Sequence, residues 1–186
     1  AGGAAGANRY WSNTGEGNWS EPANWGGTEP TFSDSAWIVN GGTAVCANAE
    51  VTGTLMLGEN NSGDGTLRLD DPSASLTVAT SVSGTSFYWG RRAIGTVVQT
   101  SGMLTVSNST QMGYYASGLS KYVISGGTGI FMGTLVVGNS QGNGLVLQSG
   151  GLVQFKGGWT INTEGHYELT GGTLDTSTAT LNMIGG

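Results

Sequence analysis

The chain has little cysteine, proline or charge, and each shortage excludes a class of protein. One cysteine among 186 residues leaves no internal disulfide, which excludes a small disulfide scaffold. Six Lys and Arg residues against twelve Asp and Glu residues give a net charge of −6, so no basic patch favours nucleic acid or an anionic membrane. No apolar run approaches the roughly 20 residues of a membrane-spanning helix. We therefore expect neither nucleic acid nor membrane as a partner.

Glycine is abundant instead, with 35 residues against only 3 prolines. This composition occurs in disordered linkers, but 37% hydrophobic residues, 6 Trp and 6 Tyr favour a folded all-β protein. The opening AGGAAGA has no apolar stretch and is typical of a mature terminus or of a linker within a longer protein. Much Gly, Ser, Thr and Asn with little Cys or Lys is common outside bacterial cells, so we expect a secreted, extracellular protein.

Two markers show that the chain repeats about every 22–25 residues, which is the signature of a repeat architecture. The first marker is a short run ending in Gly: LMLG at 55–58, FYWG at 87–90, TQMG at 110–113, LVVG at 135–138 and the degenerate WTIN at 159–162. The second marker is a glycine that we align at Gly102, Gly127, Gly150 and Gly172.

Each repeat holds about three short β-prone runs between Gly, Asn and Ser turns, with no helical period. A unit this small buries its apolar side only by stacking on its neighbours. The sequence therefore predicts an all-β, single-domain parallel β-helix, right-handed like other parallel crossovers. We expect about six three-strand coils over 37–186, after an N-terminal linker and cap over 1–36. A β-sandwich is the main alternative.

Side chains alternate between the two faces of a strand, so the position before each marker glycine predicts which residues are buried. The inward column is predicted to be Leu57, Trp89, Met112, Val137 and Ile161. The positions two residues earlier are also mostly inward: Leu55, Phe87, Thr110, Leu135 and Trp159. The residues between them should face solvent: Met56, Tyr88, Gln111, Val136 and Thr160.

The loop after each marker glycine holds the candidate binding residues. Stacking of the coils places Arg91 and Arg92 one coil from Tyr114 and Tyr115, with Lys121 close by. One interpretation is Arg packed on Tyr to cover a turn, a modest cation–π contact. The other is a sugar-binding platform. On the second interpretation the ligand-binding residues are Tyr88, Arg91, Arg92, Tyr114, Tyr115 and Lys121.

The segment before the repeats is rich in tryptophan. Its pattern W…G.W….NW..G..P…D.A.I is carried by Trp11, Trp19, Asn24, Trp25, Pro30, Asp34, Ala36 and Ile38. Here the chain resembles extracellular β-helix proteins of the autotransporter-repeat and PEP-CTERM-associated type, a resemblance that implies Gly-rich coils. The open end of a solenoid also needs a cap. We therefore predict that Trp11, Trp19, Trp25 and Trp37 form that cap.

The residues offer little to catalysis. The single histidine, His166, has no motif context for a triad and is expected to be a solvated turn residue. No two carboxylates are expected to face each other as in a glycosidase, and only Asp70 or Asp71 is expected near the arginines. The stretch ENNSGDG at 59–65 resembles a Ca²⁺ loop but lacks its length and closing Glu. Cys46 is expected to be a buried thiol. We expect no enzyme, no cofactor and no metal.

Three functional hypotheses follow. The first is a non-catalytic carbohydrate-binding module, tethered to the catalytic domain of a secreted polysaccharide-degrading enzyme, that binds a β-linked plant glycan such as xylan. In size, fold and aromatic content the chain is similar to the β-helical xylan-binding modules of gut bacterial xylanases, a likeness of fold only. The second is a structural or adhesive segment of a bacterial cell-surface protein, whose outward Val98, Val123 and Val146 form an apolar contact line. The third is a fragment of a β-helical polysaccharide lyase or hydrolase.

Overall fold

Three parallel sheets wind into a β-solenoid of about seven turns. This is a computed structural model, and it describes residues 6–59, 63–79, 84–139 and 141–184. Within these ranges the helical structure is one 3-10 helix, Pro22–Trp25. The described residues contain no helix that is long and apolar enough to cross a membrane. The predicted all-β parallel solenoid is confirmed.

Sheet A contains, in spatial order, β1 (Asn8–Tyr10), β3 (Ser35–Ile38), β6 (Thr54–Leu57), β9 (Thr85–Trp89), β12 (Ser109–Met112), β15 (Leu135–Val137), β18 (Trp159–Ile161) and β21 (Leu181–Met183). Sheet B contains β2 (Glu16–Asn18), β4 (Thr43–Cys46), β7 (Gly65–Leu69), β10 (Ile94–Gln99), β13 (Leu119–Ile124), β16 (Asn143–Gln148) and β19 (Gly165–Leu169). Sheet C contains β5 (Ala49–Thr52), β8 (Ser75–Val78), β11 (Met103–Val106), β14 (Thr128–Phe131), β17 (Leu152–Phe155) and β20 (Thr173–Asp175).

Each complete coil contributes one strand to each sheet, so every strand inside a sheet pairs with its equivalents in the coils before and after it. β10, for example, pairs in parallel with β7 and with β13. The segment before the repeats also takes part, because β1 pairs with β3 and β2 pairs with β4. These two strands begin a further turn beyond the six predicted from the repeats.

The predicted inward columns of sheet A form the core. Leu57, Trp89, Met112 and Val137 are buried in register with one another, and Ile161 is partly buried against the core. The outward column is half-buried at Tyr88 and at the later positions, as predicted, but Met56 is only 9% exposed. Met56 lies in register between two large neighbours, Trp37 and Tyr88.

The marker glycines are required by backbone geometry. Gly58, Gly90, Gly113 and Gly138 have φ between 60° and 70°, a conformation that strains any residue with a Cβ. A Cβ on Gly90 would also lie 2.2 Å from the carbonyl oxygen of Leu119 in the next coil. These marker glycines therefore occupy equivalent turns.

The alignment of the second glycine marker is wrong by one residue in the fifth coil. Gly102, Gly127 and Gly172 have positive φ, but the equivalent residue is Gly151, not Gly150. The same shift affects the expected apolar line on sheet B, where Val98 and Val123 continue to Leu147. Val146 instead pairs with Tyr122 and is buried, because a one-residue slip moves a side chain to the opposite face.

A Trp-rich cluster lies near the N-terminus. The Trp25 ring meets Trp11 at 4.9 Å and Trp19 at 4.7 Å between centroids, both edge to face, and Trp25 Nε1 donates to the Trp19 carbonyl at 2.7 Å. All three are buried. Trp37 is not part of this cluster: it is half-buried on the outer face of β3, so its assignment to the cap was wrong.

Two buried glutamines were not anticipated from the sequence. Gln99 Nε2 donates to the carbonyls of Gly102 and Thr128, each at 3.0 Å, and Gln99 Oε1 accepts from the Tyr122 hydroxyl at 2.5 Å. Gln148 repeats this arrangement with Tyr167. Each glutamine thus satisfies turn carbonyls of two adjacent coils, which a buried backbone requires.

Candidate functional site

Strand β9 places one tyrosine on the surface between two buried aromatic residues. Phe87 and Trp89 are fully buried, and their rings stack at 4.7 Å with an angle of 7°. Tyr88 lies between them in sequence and therefore on the opposite face of the strand, where it is half-buried. The predicted core positions of Phe87 and Trp89 and the predicted surface position of Tyr88 are confirmed.

The turn at Gly90 directs two arginines onto the corner between sheets A and B. The amides of Arg91 and Arg92 both donate to the carbonyl of Gly58 in the preceding coil, at 2.9 and 3.3 Å. The Arg91 carbonyl accepts from the Tyr115 amide of the following coil at 3.1 Å. The stacking of coils thus fixes the backbone on both sides of the arginines.

Five of the predicted residues meet at this corner. The Arg91 guanidinium carbon lies 5.3 Å from the ring centre of Tyr88, 5.9 Å from that of Tyr114 and 5.3 Å from that of Tyr115. The guanidinium carbon of Arg92 lies 4.7 Å from the Tyr115 ring centre. These distances are within the range of cation–π contacts. We call Tyr88, Arg91, Arg92, Tyr114 and Tyr115 the Tyr–Arg cluster.

A buried carboxylate anchors the cluster from below. Glu59 is 3% exposed, and its Oε1 lies 3.3 Å from Arg91 Nη1 and 3.8 Å from Arg92 Nη1. Two guanidinium groups thus share this one buried carboxylate. The expected acidic partner was Asp70 or Asp71, and this was wrong. Asp70 pairs with Arg68 at 2.8 Å, and Asp71 accepts from Ser73.

The two arginines differ in their exposure. The Arg91 side chain is 27% exposed and is enclosed by the three tyrosines and Glu59. The Arg92 side chain is 42% exposed and borders an open groove of about 470 Å³, lined also by Asn40, Asp64 and Ser117. Arg92 is therefore the arginine whose N–H groups are the more available to a ligand.

Lys121 lies apart from the cluster, although the sequence placed it there. It is on β13 of sheet B, in register with Thr96 and Leu145. Among the residues that the structure describes, no ion pair or cation–π contact joins Lys121 to the Tyr–Arg cluster. It lies on a flat sheet face, whereas the cluster occupies a corner.

The suggested Ca²⁺ loop at 59–65 falls partly outside the described residues, which omit 60–62. At its two ends, Glu59 is engaged by the arginines and Asp64 Oδ1 accepts from the Ile94 amide at 2.9 Å. In the described part of the chain, no three His, Cys, Asp or Glu residues lie close enough together to hold a metal ion.

The titratable groups away from the cluster show one unexpected pair. Burial and a hydrogen bond to Glu29 raise the pKa of Glu50 to about 8, so a proton is held between these two carboxyl groups at neutral pH. No sequence pattern predicts this pair, although Glu50 occupies an inward position of β5. Cys46 is buried as predicted, and burial raises the pKa of its thiol. His166 is exposed as expected but lies on β19, not in a turn.

A scan against protein-family models gives no match, and searches of the curated proteins and of the solved structures give none.

Proposed function

We propose that this chain is a non-catalytic carbohydrate-binding module that holds a β-linked plant glycan, such as xylan, at the Tyr–Arg cluster. The observation that carries the proposal is the arrangement of three half-buried tyrosine rings around two arginines at one corner of the solenoid. Tyrosine combines an apolar ring with a polar tip, and a sugar presents both apolar ring faces and hydroxyl groups.

Preorganisation of the cluster supports binding. The Tyr114 and Tyr115 rings meet edge to face at 4.7 Å, and Arg91 is enclosed between Glu59 and the tyrosines. Side chains that are already ordered lose little conformational entropy when a ligand binds. Tyrosine faces then provide stacking area, while Arg92 donates hydrogen bonds to hydroxyl groups.

The cluster is anchored by one carboxylate, Glu59, which is paired with arginine. Glycoside hydrolysis requires two facing carboxyl groups, one of them an acid. Bound polysaccharide is therefore expected to remain uncut. Such a module acts by holding a partner domain at its substrate, so we propose a secreted, extracellular protein tethered to a catalytic domain.

The alternative is a structural or adhesive segment of a bacterial surface protein. The observation that favours it is the outward, half-buried apolar line of Val98, Val123 and Leu147 on sheet B. Val123 and Leu147 border an open cavity of about 270 Å³, which Glu168 and Thr170 also line. Such a line suits contact with another domain.

Affinity electrophoresis with xylan and other soluble β-linked glycans tests the proposal. We expect the parent protein to be retarded, Arg92→Ala to be retarded less, and the double variant Tyr114→Ala/Tyr115→Ala to migrate as if no glycan were present. Met132→Ala is the matched control, because Met132 is 51% exposed and lies outside the cluster. Equal retardation of parent and double variant, both folded, contradicts the proposed site. No retardation of the parent on any polysaccharide favours the structural alternative.

A further inference from the structure

The outer face of sheet A carries a line of large side chains that leads to the Tyr–Arg cluster. Tyr10, Trp37, Met56 and Tyr88 are consecutive in register on β1, β3, β6 and β9. The next positions in the same column are Gln111, Val136, Thr160 and Asn182. The aromatic residues are therefore confined to the N-terminal half of the column.

The exposure of these residues shows which of them could meet a ligand. Tyr10 is 51% exposed and Trp37 is half-buried, and their rings lie 5.5 Å apart with a tilt of 37°. Met56 is only 9% exposed, so it fills the floor between Trp37 and Tyr88. We call Tyr10, Trp37 and Tyr88 the aromatic stripe.

Trp37 is unlike the other tryptophans of the chain. The remaining five, Trp11, Trp19, Trp25, Trp89 and Trp159, are all buried in the core. Trp37 Nε1 is buried without a hydrogen-bond partner among the described residues. A ligand at this surface can therefore contact carbon atoms of the ring but not the N–H group. The half-buried ring of Trp37 offers apolar area without an accessible polar group, which suits contact with an apolar surface.

The stripe and the cluster are continuous, because the Arg91 guanidinium lies over the Tyr88 ring at 5.3 Å. Neighbouring strands are about 4.8 Å apart, so the three steps from Tyr10 to Tyr88 extend about 14 Å along the solenoid axis. A single sugar at the cluster cannot reach Tyr10, whereas a chain of several sugars can.

We propose that the aromatic stripe is an extension of the binding site, along which a linear β-linked glycan lies parallel to the solenoid axis with its ring faces on Trp37 and Tyr10. This inference rests on the proposed function. It adds a direction to the bound chain, from the Tyr–Arg cluster towards the N-terminal end. It also makes binding depend on chain length, since each added sugar reaches further along the stripe.

Calorimetric titration with β-1,4-xylo-oligosaccharides, from disaccharide to hexasaccharide, measures the length dependence. For the parent we expect the affinity to rise with length. Trp37→Ala should bind the hexasaccharide about tenfold more weakly, or about 1.4 kcal/mol, yet bind the disaccharide like the parent. Trp37→Phe should restore much of the loss, and Val136→Ala, in the same column beyond Tyr88, should bind like the parent.

Acrylamide quenching of tryptophan fluorescence gives an independent readout, because Trp37 is the tryptophan that acrylamide can reach. Xylohexaose should protect the parent from quenching. Suppose that the parent binds the hexasaccharide, that Trp37→Ala binds it equally well, and that the hexasaccharide does not change the quenching. The proposed role of the aromatic stripe is then wrong, while the proposed site at the Tyr–Arg cluster is unaffected. If the parent binds no glycan, both proposals fail. Protection that grows with protein concentration in the absence of glycan assigns the stripe to self-association and also overturns the inference.

Discussion

The turn glycines allow two costs of a side chain to be measured separately. Gly41 has φ of +84°, and a Cβ added there would meet nothing within 4 Å, so Gly41→Ala tests backbone conformation alone. Gly118 has no positive φ, but a Cβ would lie 2.1 Å from the Gly90 carbonyl oxygen, so Gly118→Ala tests space alone. Gly90→Ala combines both costs.

The magnitudes follow from these geometries. A left-handed alanine costs about 1–2 kcal/mol, partly offset by the lower entropy of the unfolded chain, which leaves about 1 kcal/mol for Gly41→Ala. Forcing neighbouring backbone apart costs about 1–3 kcal/mol for Gly118→Ala. Gly90→Ala should therefore lose about 2–4 kcal/mol, the sum of the two contributions. For a chain of this size, that lowers the melting temperature by about 4–16 °C, against about 2–4 °C for Gly41→Ala.

Thermal unfolding followed by far-UV circular dichroism, with urea unfolding as a second measure, tests the ranking. Coincident urea transitions by circular dichroism and by tryptophan fluorescence establish that the free energies are comparable. If Gly41→Ala and Gly90→Ala lose the same free energy of unfolding, contact between coils is not the reason that position 90 requires glycine. An unchanged melting temperature for Gly90→Ala refutes the turn geometry itself.

Three further predictions concern buried groups. Burial and Glu29 raise the pKa of Glu50 from 4.5 to about 8, so between these pH values the folded state holds a proton that the unfolded state releases. The free energy of unfolding therefore falls as pH rises through that interval, by up to about 1.4 kcal/mol per pH unit. The melting temperature of Glu50→Gln should depend much less on pH than that of the parent. Tyr122→Phe leaves Gln99 Oε1 without its donor and should cost about 1–3 kcal/mol in urea unfolding, so an equal midpoint shows that this bond contributes nothing. Cys46, buried and with a raised pKa, should react with a thiol reagent only after unfolding; rapid reaction of the native protein contradicts its burial.

The candidate site was predictable where it depended on repeat spacing. Tyr88, Arg91 and Tyr115 are brought together because equivalent turns stack directly above one another, and the period of the markers alone implies that stacking. Lys121 was misplaced because it lies within a strand and does not belong to the turn. Glu59 was missed although it follows Gly58 as Arg91 follows Gly90, because its loop was considered only as a possible Ca²⁺ loop and no local pattern marks a buried carboxylate.

The one-residue error in the fifth coil has a simple cause. Gly150 was aligned in place of its neighbour Gly151, although Gly127 and Gly172 are each the second glycine of a pair, as Gly151 is. The structure chooses Gly151, because it stacks in register on Gly127, whose carbonyl oxygen a Cβ on Gly151 would meet at 2.7 Å.

The sequence by itself determined the solenoid, since strand alternation and a recurring left-handed glycine are local properties that repeat in every coil. Outside the repeats, the tertiary structure alone decided which outward residues share one surface. Tyr10 and Trp37 are in neighbouring strands although 26 residues lie between them, and their segment lies outside the repeats. Its register depends on which hydrogen bonds β1 and β3 form. A parallel sheet sets its register through such pairing between distant strands, and neither strand encodes it alone.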